Sequence, residues 1–132
     1  MLEKMIEACK KQSELSYSPY SNYKVSAAIL MKNGDIVSGI NIENCSYPLS
    51  ICAERCALFS AMSKGYKKDD MVSIMIYTPR LDSMPYPCGA CRQVMSELLN
   101  KNAQVIIIND KLEPEYHTVE ELLPYSFSKD SL

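Results

Sequence analysis

The sequence predicts an α/β fold, a three-layer α/β/α sandwich with a mixed β-sheet. Three observations predict it. Short apolar runs of strand length alternate with segments of helical periodicity. Two such runs are joined across Asn33-Gly34, a pair suited to the positive φ angles of a tight antiparallel hairpin. In the second half the order is strand, helix, strand, which implies a right-handed parallel crossover. A length of 132 residues fits one domain, 1–132, with a single core.

Each element has its own warrant. Leu2, Met5, Ile6 and Cys9 recur at i, i+3, i+4 and i+7 with lysines and Glu7 between them, so 2–15 reads as an amphipathic helix. Tyr17-Ser18-Pro19-Tyr20-Ser21-Asn22-Tyr23 is turn-rich and aromatic, an ordered loop. Runs 25–31 and 36–41 are the hairpin strands. From Ile51 to Lys64 small residues recur at Ala53, Ala57 and Ala61, and Gly65 offers a C-terminal stop, giving a helix that packs closely on a sheet. Runs 72–77 and 104–108 read as buried strands flanking a helix over 90–100, in which Cys91, Val94, Met95 and Leu98 share a face. Residues 119–123 predict a short last helix, and 124–132 a tail. His117, the sole histidine, is expected in a surface loop.

A net charge of −2 provides no basic face for phosphate backbones, so no nucleic acid is expected as a partner and a small neutral substrate fits better. The N-terminal stretch is charged, without an apolar signal core, and no run approaches membrane-spanning length, which predicts a soluble, cytoplasmic protein with no membrane partner.

The chemistry concentrates in Cys52-Ala53-Glu54 and Pro87-Cys88-Gly89-Ala90-Cys91. A structural zinc closes with four protein ligands, whereas a catalytic zinc takes three and leaves a position for water. Cys52, Cys88 and Cys91 provide three, and Glu54 has no purpose in a purely structural knot. Three thiolates carry −3 against the +2 of zinc, which blunts the acidification of a bound water. Arg55 and Arg92, together with two helix starts, are expected to restore positive potential. Cys9, Cys45 and Cys56 lack this constellation and read as small buried apolar residues. Spacing of this kind in a non-secreted chain favours metal over disulfides.

These segments, with Tyr17-Ser18-Pro19-Tyr20-Ser21, Asn41-Ile42-Glu43-Asn44, Arg92-Gln93-Val94 and Glu121-Leu122-Leu123-Pro124, resemble the homotetrameric, three-cysteine cytidine deaminases over nearly the whole chain. The zinc motif alone is shared across zinc deaminases, with the glutamate as proton shuttle. The resemblance implies hydrolytic deamination of cytidine and deoxycytidine, one zinc per chain on Cys52, Cys88 and Cys91, and Glu54 as the catalytic group. It implies charge compensation by Arg55, sugar binding by Asn41 and Glu43, and base contacts by Ala53 and Tyr23. It also implies a homotetramer in which Tyr47 and Phe127 reach active sites across subunit contacts. Two alternatives stay open: a deaminase of blasticidin or another cytosine analogue, and a non-enzymatic module in which zinc only holds the fold. Two departures from the family pattern stand out. Ser26 takes the place of a common glycine, and the segment Arg80 to Tyr86 is longer than in many relatives, which predicts an altered loop at the site's mouth.

Overall fold

The computed structural model describes residues 1–132. Five strands form one sheet: β1 (Ser26–Met31), β2 (Ile36–Ile40), β3 (Met71–Thr78), β4 (Gln104–Asn109) and β5 (Glu115–Thr118). Their spatial order is β2-β1-β3-β4-β5. The β3–β4 pair is parallel and every other pair antiparallel, so the sheet is mixed. Helix α1 (Leu2–Ser13) precedes the sheet, α2 (Ala53–Ser63) follows the hairpin, α3 (Gly89–Leu98) makes the β3–β4 crossover, and α4 (Val119–Leu122) ends the core.

The three layers follow from strand alternation, which sends successive side chains to opposite faces. Along β3, Ile74 and Ile76 join Leu58 of α2 and Met95 of α3 in one buried cluster. Met75 and Tyr77 point the other way and meet Met5 and Cys9 of α1 in a second. Central strands buried on both faces read as continuous apolar runs, which is how β3 and β4 are written.

The alanine stripe of α2 lies against Gly39 of β2. A Cβ added at Gly39 would press on the backbone N of Ala57 and stand 2.8 Å from the Ala53 carbonyl oxygen. No side chain fits there, so the first turn of α2 sits on the sheet backbone itself.

Three expectations need correction. The surface loop expected around His117 is the strand β5. Its sequence carries a proline at its threshold and no apolar alternation, and it gains its place by pairing with β4, from Gln104↔Thr118 to Ile107↔Glu115. His117 therefore lies on an edge strand, half-buried, rather than in a surface loop. Helix α1 ends at Ser13, whose hydroxyl donates back to the Lys10 carbonyl. Of the three cysteines expected in the core, only Cys9 is buried, where burial pushes its thiol up to about 12; Cys45 is exposed and Cys56 half-buried. No helix is long and apolar enough to cross a membrane.

Candidate active site

Two helix starts converge at one end of the sheet. Cys52 is the N-cap of α2 and Cys88 the N-cap of α3, both with extended backbone, and Cys91 lies in the first turn of α3. The Sγ atoms of Cys52, Cys88 and Cys91 all lie within 4.8 Å of one another. Cys52 Sγ and Cys88 Sγ are 3.7 Å apart. Tetrahedral thiolates at a Zn–S distance of about 2.3 Å stand about 3.8 Å apart, so the trio fits one zinc. Cys56 is outside the cluster, and no fourth cysteine, histidine or carboxylate joins it.

The charges at the cluster are arranged to favour a thiolate. Cys52 is lowered to about 5, first by the hydrogen bond from Cys91 and then by Arg55, against the opposing effect of burial. Cys91 is pushed up by the same partnership and by burial. Arg55 Nη2 donates to Cys52 Sγ at 3.7 Å, and its buried Nε has no hydrogen-bond partner. Arg92 does not share this role. Its Nε donates to the Pro87 carbonyl and its Nη1 to that of Leu122, so it ties α3 to the end of α4 and leaves the sulfurs to Arg55 and the helix starts.

Beside the sulfurs opens a cavity of about 620 Å³. Glu54 lines it while remaining 4 % exposed, and burial, helped by the neighbouring Cys52, pushes its carboxyl up to about 7. A group that titrates near neutrality both accepts and returns a proton, the property a general acid–base needs. Ala53 lines the cavity next to it with no exposed surface.

The opposite wall is made of loops. Asn41 and Glu43 both line the cavity, just beyond the end of β2. Their polar atoms are already engaged. Asn41 Oδ1 accepts from the Val25 backbone N at 3.1 Å and from the Ser16 hydroxyl, and its Nδ2 donates to the Tyr23 carbonyl at 2.7 Å. Glu43 accepts from the backbone N of Tyr20 and Ser21 and from the Ser21 hydroxyl, which holds its carboxyl below the usual range. Tyr23 is half-buried in the same wall, and Tyr47 lines the rim with most of its surface exposed.

Phe127 is not brought to the cavity of its own chain; it lies exposed in the tail, where its carbonyl accepts from Gln93 Nε2. The long segment before Pro87 does reach the mouth, where Met84, Pro85 and Tyr86 form part of the wall. Sequence reasoning located that loop but none of its lining residues. The signal was the proline pair bracketing Tyr86, which fixes the chain as it enters the second cysteine motif.

Comparison with known proteins agrees with this geometry. The family model of the cytidine and deoxycytidylate deaminase zinc-binding region matches residues 1–107. A cytidine deaminase from Sporosarcina psychrophila is 42% identical over 131 residues, covering 99% of this chain and 94% of that protein. A solved cytidine deaminase from Burkholderia pseudomallei superposes with a TM-score of 0.91 at 40% identity, covering 96% of this chain and 99% of that one. A blasticidin-S deaminase from Bacillus cereus is 30% identical over 132 residues, covering 96% of this chain and 91% of that protein. With a zinc-ready cysteine trio and a near-full-length match on both sequence and structure, the chain belongs to the cytidine and deoxycytidylate deaminase family.

Proposed function

We propose that this chain hydrolytically deaminates cytidine and deoxycytidine to uridine and deoxyuridine, releasing ammonia. One observation carries the reading: the buried carboxylate of Glu54 lines a cavity of about 620 Å³ beside a three-cysteine cluster that fits one zinc.

When bound by Cys52, Cys88 and Cys91, zinc supplies a water acidified toward a pKa of about 7. Glu54 takes the proton of the attacking water as its oxygen bonds to C4 of the pyrimidine, and delivers a proton to N3. The carboxylate next takes the proton of the new C4 hydroxyl and passes it to the exocyclic amine. The C4–N bond breaks, ammonia leaves, and C4 keeps its oxygen as a carbonyl. Arg55, bonded to Cys52, offsets thiolate charge that would otherwise weaken the acidification.

Recognition falls to the loop wall. Beyond the bonds that hold them, Asn41 keeps a second Nδ2–H and Glu43 keeps free acceptor capacity on its carboxylate, two residues apart, which suits adjacent sugar hydroxyls. Tyr23 and Ala53 contact the base. Arg55 is the only cation lining the cavity, and it is engaged with Cys52, so a nucleoside is favoured over its phosphate ester. In a homotetramer, Tyr47 and Phe127 would complete neighbouring sites; their exposure, 73% and 61%, fits surfaces that a second copy covers. Such a nucleoside enzyme is expected to work in the cytoplasm.

Zinc-quantified protein mixed with cytidine, deoxycytidine, dCMP or blasticidin S tests the reading by the ultraviolet change on deamination. Rapid conversion of both nucleosides with little action on dCMP is expected. Preferential turnover of blasticidin S would move the activity to the antibiotic branch represented by the Bacillus cereus relative. Stoichiometric zinc without turnover of any of the four would overturn the reading.

A further inference from the structure

The segment that leads from β3 to the second cysteine motif is bonded to Tyr23 at more than one point. Tyr23 Oη and Ser83 Oγ are 2.8 Å apart. The Arg80 guanidinium carbon stands 5.4 Å from the centre of the Tyr23 ring, within cation–π range. Tyr23 is part of the cavity lining, whereas Arg80 is not.

The two holding groups are themselves held. Arg80 Nε and Nη2 donate to the two oxygens of Asp82 at 2.9 and 2.8 Å, the two-point fork that orients a guanidinium plane. Asn109 at the end of β4, 5 % exposed, donates through Nδ2 to the Ser83 carbonyl at 2.9 Å. Ser83 is thereby fastened to the buried sheet, and through it the hydroxyl of Tyr23. Met84 packs against the core cluster directly after Ser83. Farther along, Tyr86 donates to Glu115 of β5 at 2.7 Å, so the segment is tied to the sheet edge at its other end.

We propose that Arg80, Asp82 and Ser83 form a clamp that fixes the Tyr23 ring as one wall of the substrate cavity and thereby sets how tightly the nucleoside is held. All three are positioning residues acting through Tyr23. The proposal rests on the nucleoside reading of the cavity. A tyrosine held at its hydroxyl and over its ring presents a pre-ordered surface, so less side-chain freedom is lost when a planar ligand packs on it. Without Ser83 the hydroxyl loses its anchor to the sheet. Without Arg80 the ring loses its cation–π partner and is held at its hydroxyl alone.

The test uses zinc-loaded full-length protein and the variants Tyr23→Phe, Ser83→Ala, Arg80→Gln and the double variant Tyr23→Phe with Ser83→Ala. Loss of one such hydrogen bond is expected to raise KM for cytidine about three- to ten-fold with kcat within about two-fold, since the clamp acts on binding rather than on proton transfer. Tyr23→Phe and Ser83→Ala remove the two ends of one bond, so the double variant should be no worse than the poorer single one. A double variant whose KM effect is the product of the singles, or singles with unchanged KM, would overturn the clamp. Ring resonances of carbon-labelled tyrosine provide a readout without turnover: Tyr23 should show slower ring flipping in the wild type than in Ser83→Ala. If the wild type is inert on cytidine yet the ring loosens in Ser83→Ala, the clamp stands and the nucleoside reading falls. Unchanged ring motion in Ser83→Ala, in an active enzyme, overturns the clamp and leaves the nucleoside reading standing.

Discussion

The two walls of the cavity are built on opposite plans. The metal wall stands on regular structure: α2 and α3 begin with cysteine N-caps, Glu54 and Ala53 are buried, and Gly39 lets the first turn of α2 rest on the sheet backbone. The recognition wall is made of loops, and Asn41, Glu43 and Tyr23 hold their places through side-chain hydrogen bonds to neighbouring segments. Reacting groups must be fixed to within a fraction of an ångström, which packed helices on a sheet provide. A wall that admits and releases substrate tolerates loops, provided that their polar atoms are satisfied between turnovers. The contrast predicts that damage to the metal wall abolishes chemistry, whereas damage to the loop wall weakens binding or local stability.

The largest expected effect is on the metal wall. Glu54→Gln should lower kcat about 10²- to 10⁴-fold, the usual value of a positioned acid–base group, with zinc retained. Substantial turnover in a zinc-replete Gln variant would remove Glu54 from the proton path. Gly39→Ala comes next. Its new methyl meets backbone atoms that cannot swing aside, so α2 must shift, at a cost of about 1–3 kcal/mol. Zinc content and Tm should fall together, and a Gly39→Ala chain with full zinc and unchanged Tm would break the link between sheet packing and metal geometry.

On the loop wall, Asn41→Ala strands the Val25 backbone N and the Tyr23 carbonyl, for a loss of about 1–3 kcal/mol visible in denaturant unfolding. Glu43→Gln is expected to keep that stability and raise KM. Equal stability losses in the two variants would erase the distinction between a strut and a recognition group.

The smallest effect concerns pH in the chelated, metal-free chain. Glu54, raised to about 7, contributes stability at low pH that is lost as pH rises through about 7. Cys52, lowered to about 5 by its hydrogen bond with Cys91 and by Arg55, contributes stability at high pH that is lost as pH falls through about 5. Between these values the two oppose each other, so Tm should be nearly flat from about pH 5 to 7 and rise above that. Glu54→Gln removes the falling contribution of the carboxyl, and its Tm should climb from about pH 5 upward. Calorimetry in a pH series checks this, and parallel profiles for the two chains would show that the carboxyl does not titrate as its burial implies.

Much of this architecture was legible in the chain. The central strands are continuous apolar runs, the hairpin carries Asn33-Gly34, and the helices show their period, because each of these signals is local. β5 was illegible for the converse reason: Glu115, Tyr116 and His117 have little strand character of their own and take their conformation from the exposed edge of β4. Gly39 also left no trace, since a glycine in a strand does not announce which helix will lie on it.

At the site, the sequence by itself determined which groups are present, three cysteines as the zinc donor set and a glutamate two residues after the first, because ligand chemistry is a property of residue type and of helix starts that local sequence encodes. Only the tertiary structure decided how charge and contacts are divided. It sent Arg55 to the sulfurs and Arg92 to two carbonyls, tied the amide of Asn41 to the segment from Ser16 to Val25, and put Met84 and Tyr86 at the mouth. Those outcomes depend on which segments distant in the chain meet, and long flexible side chains choose among partners that exist only once the sheet has assembled.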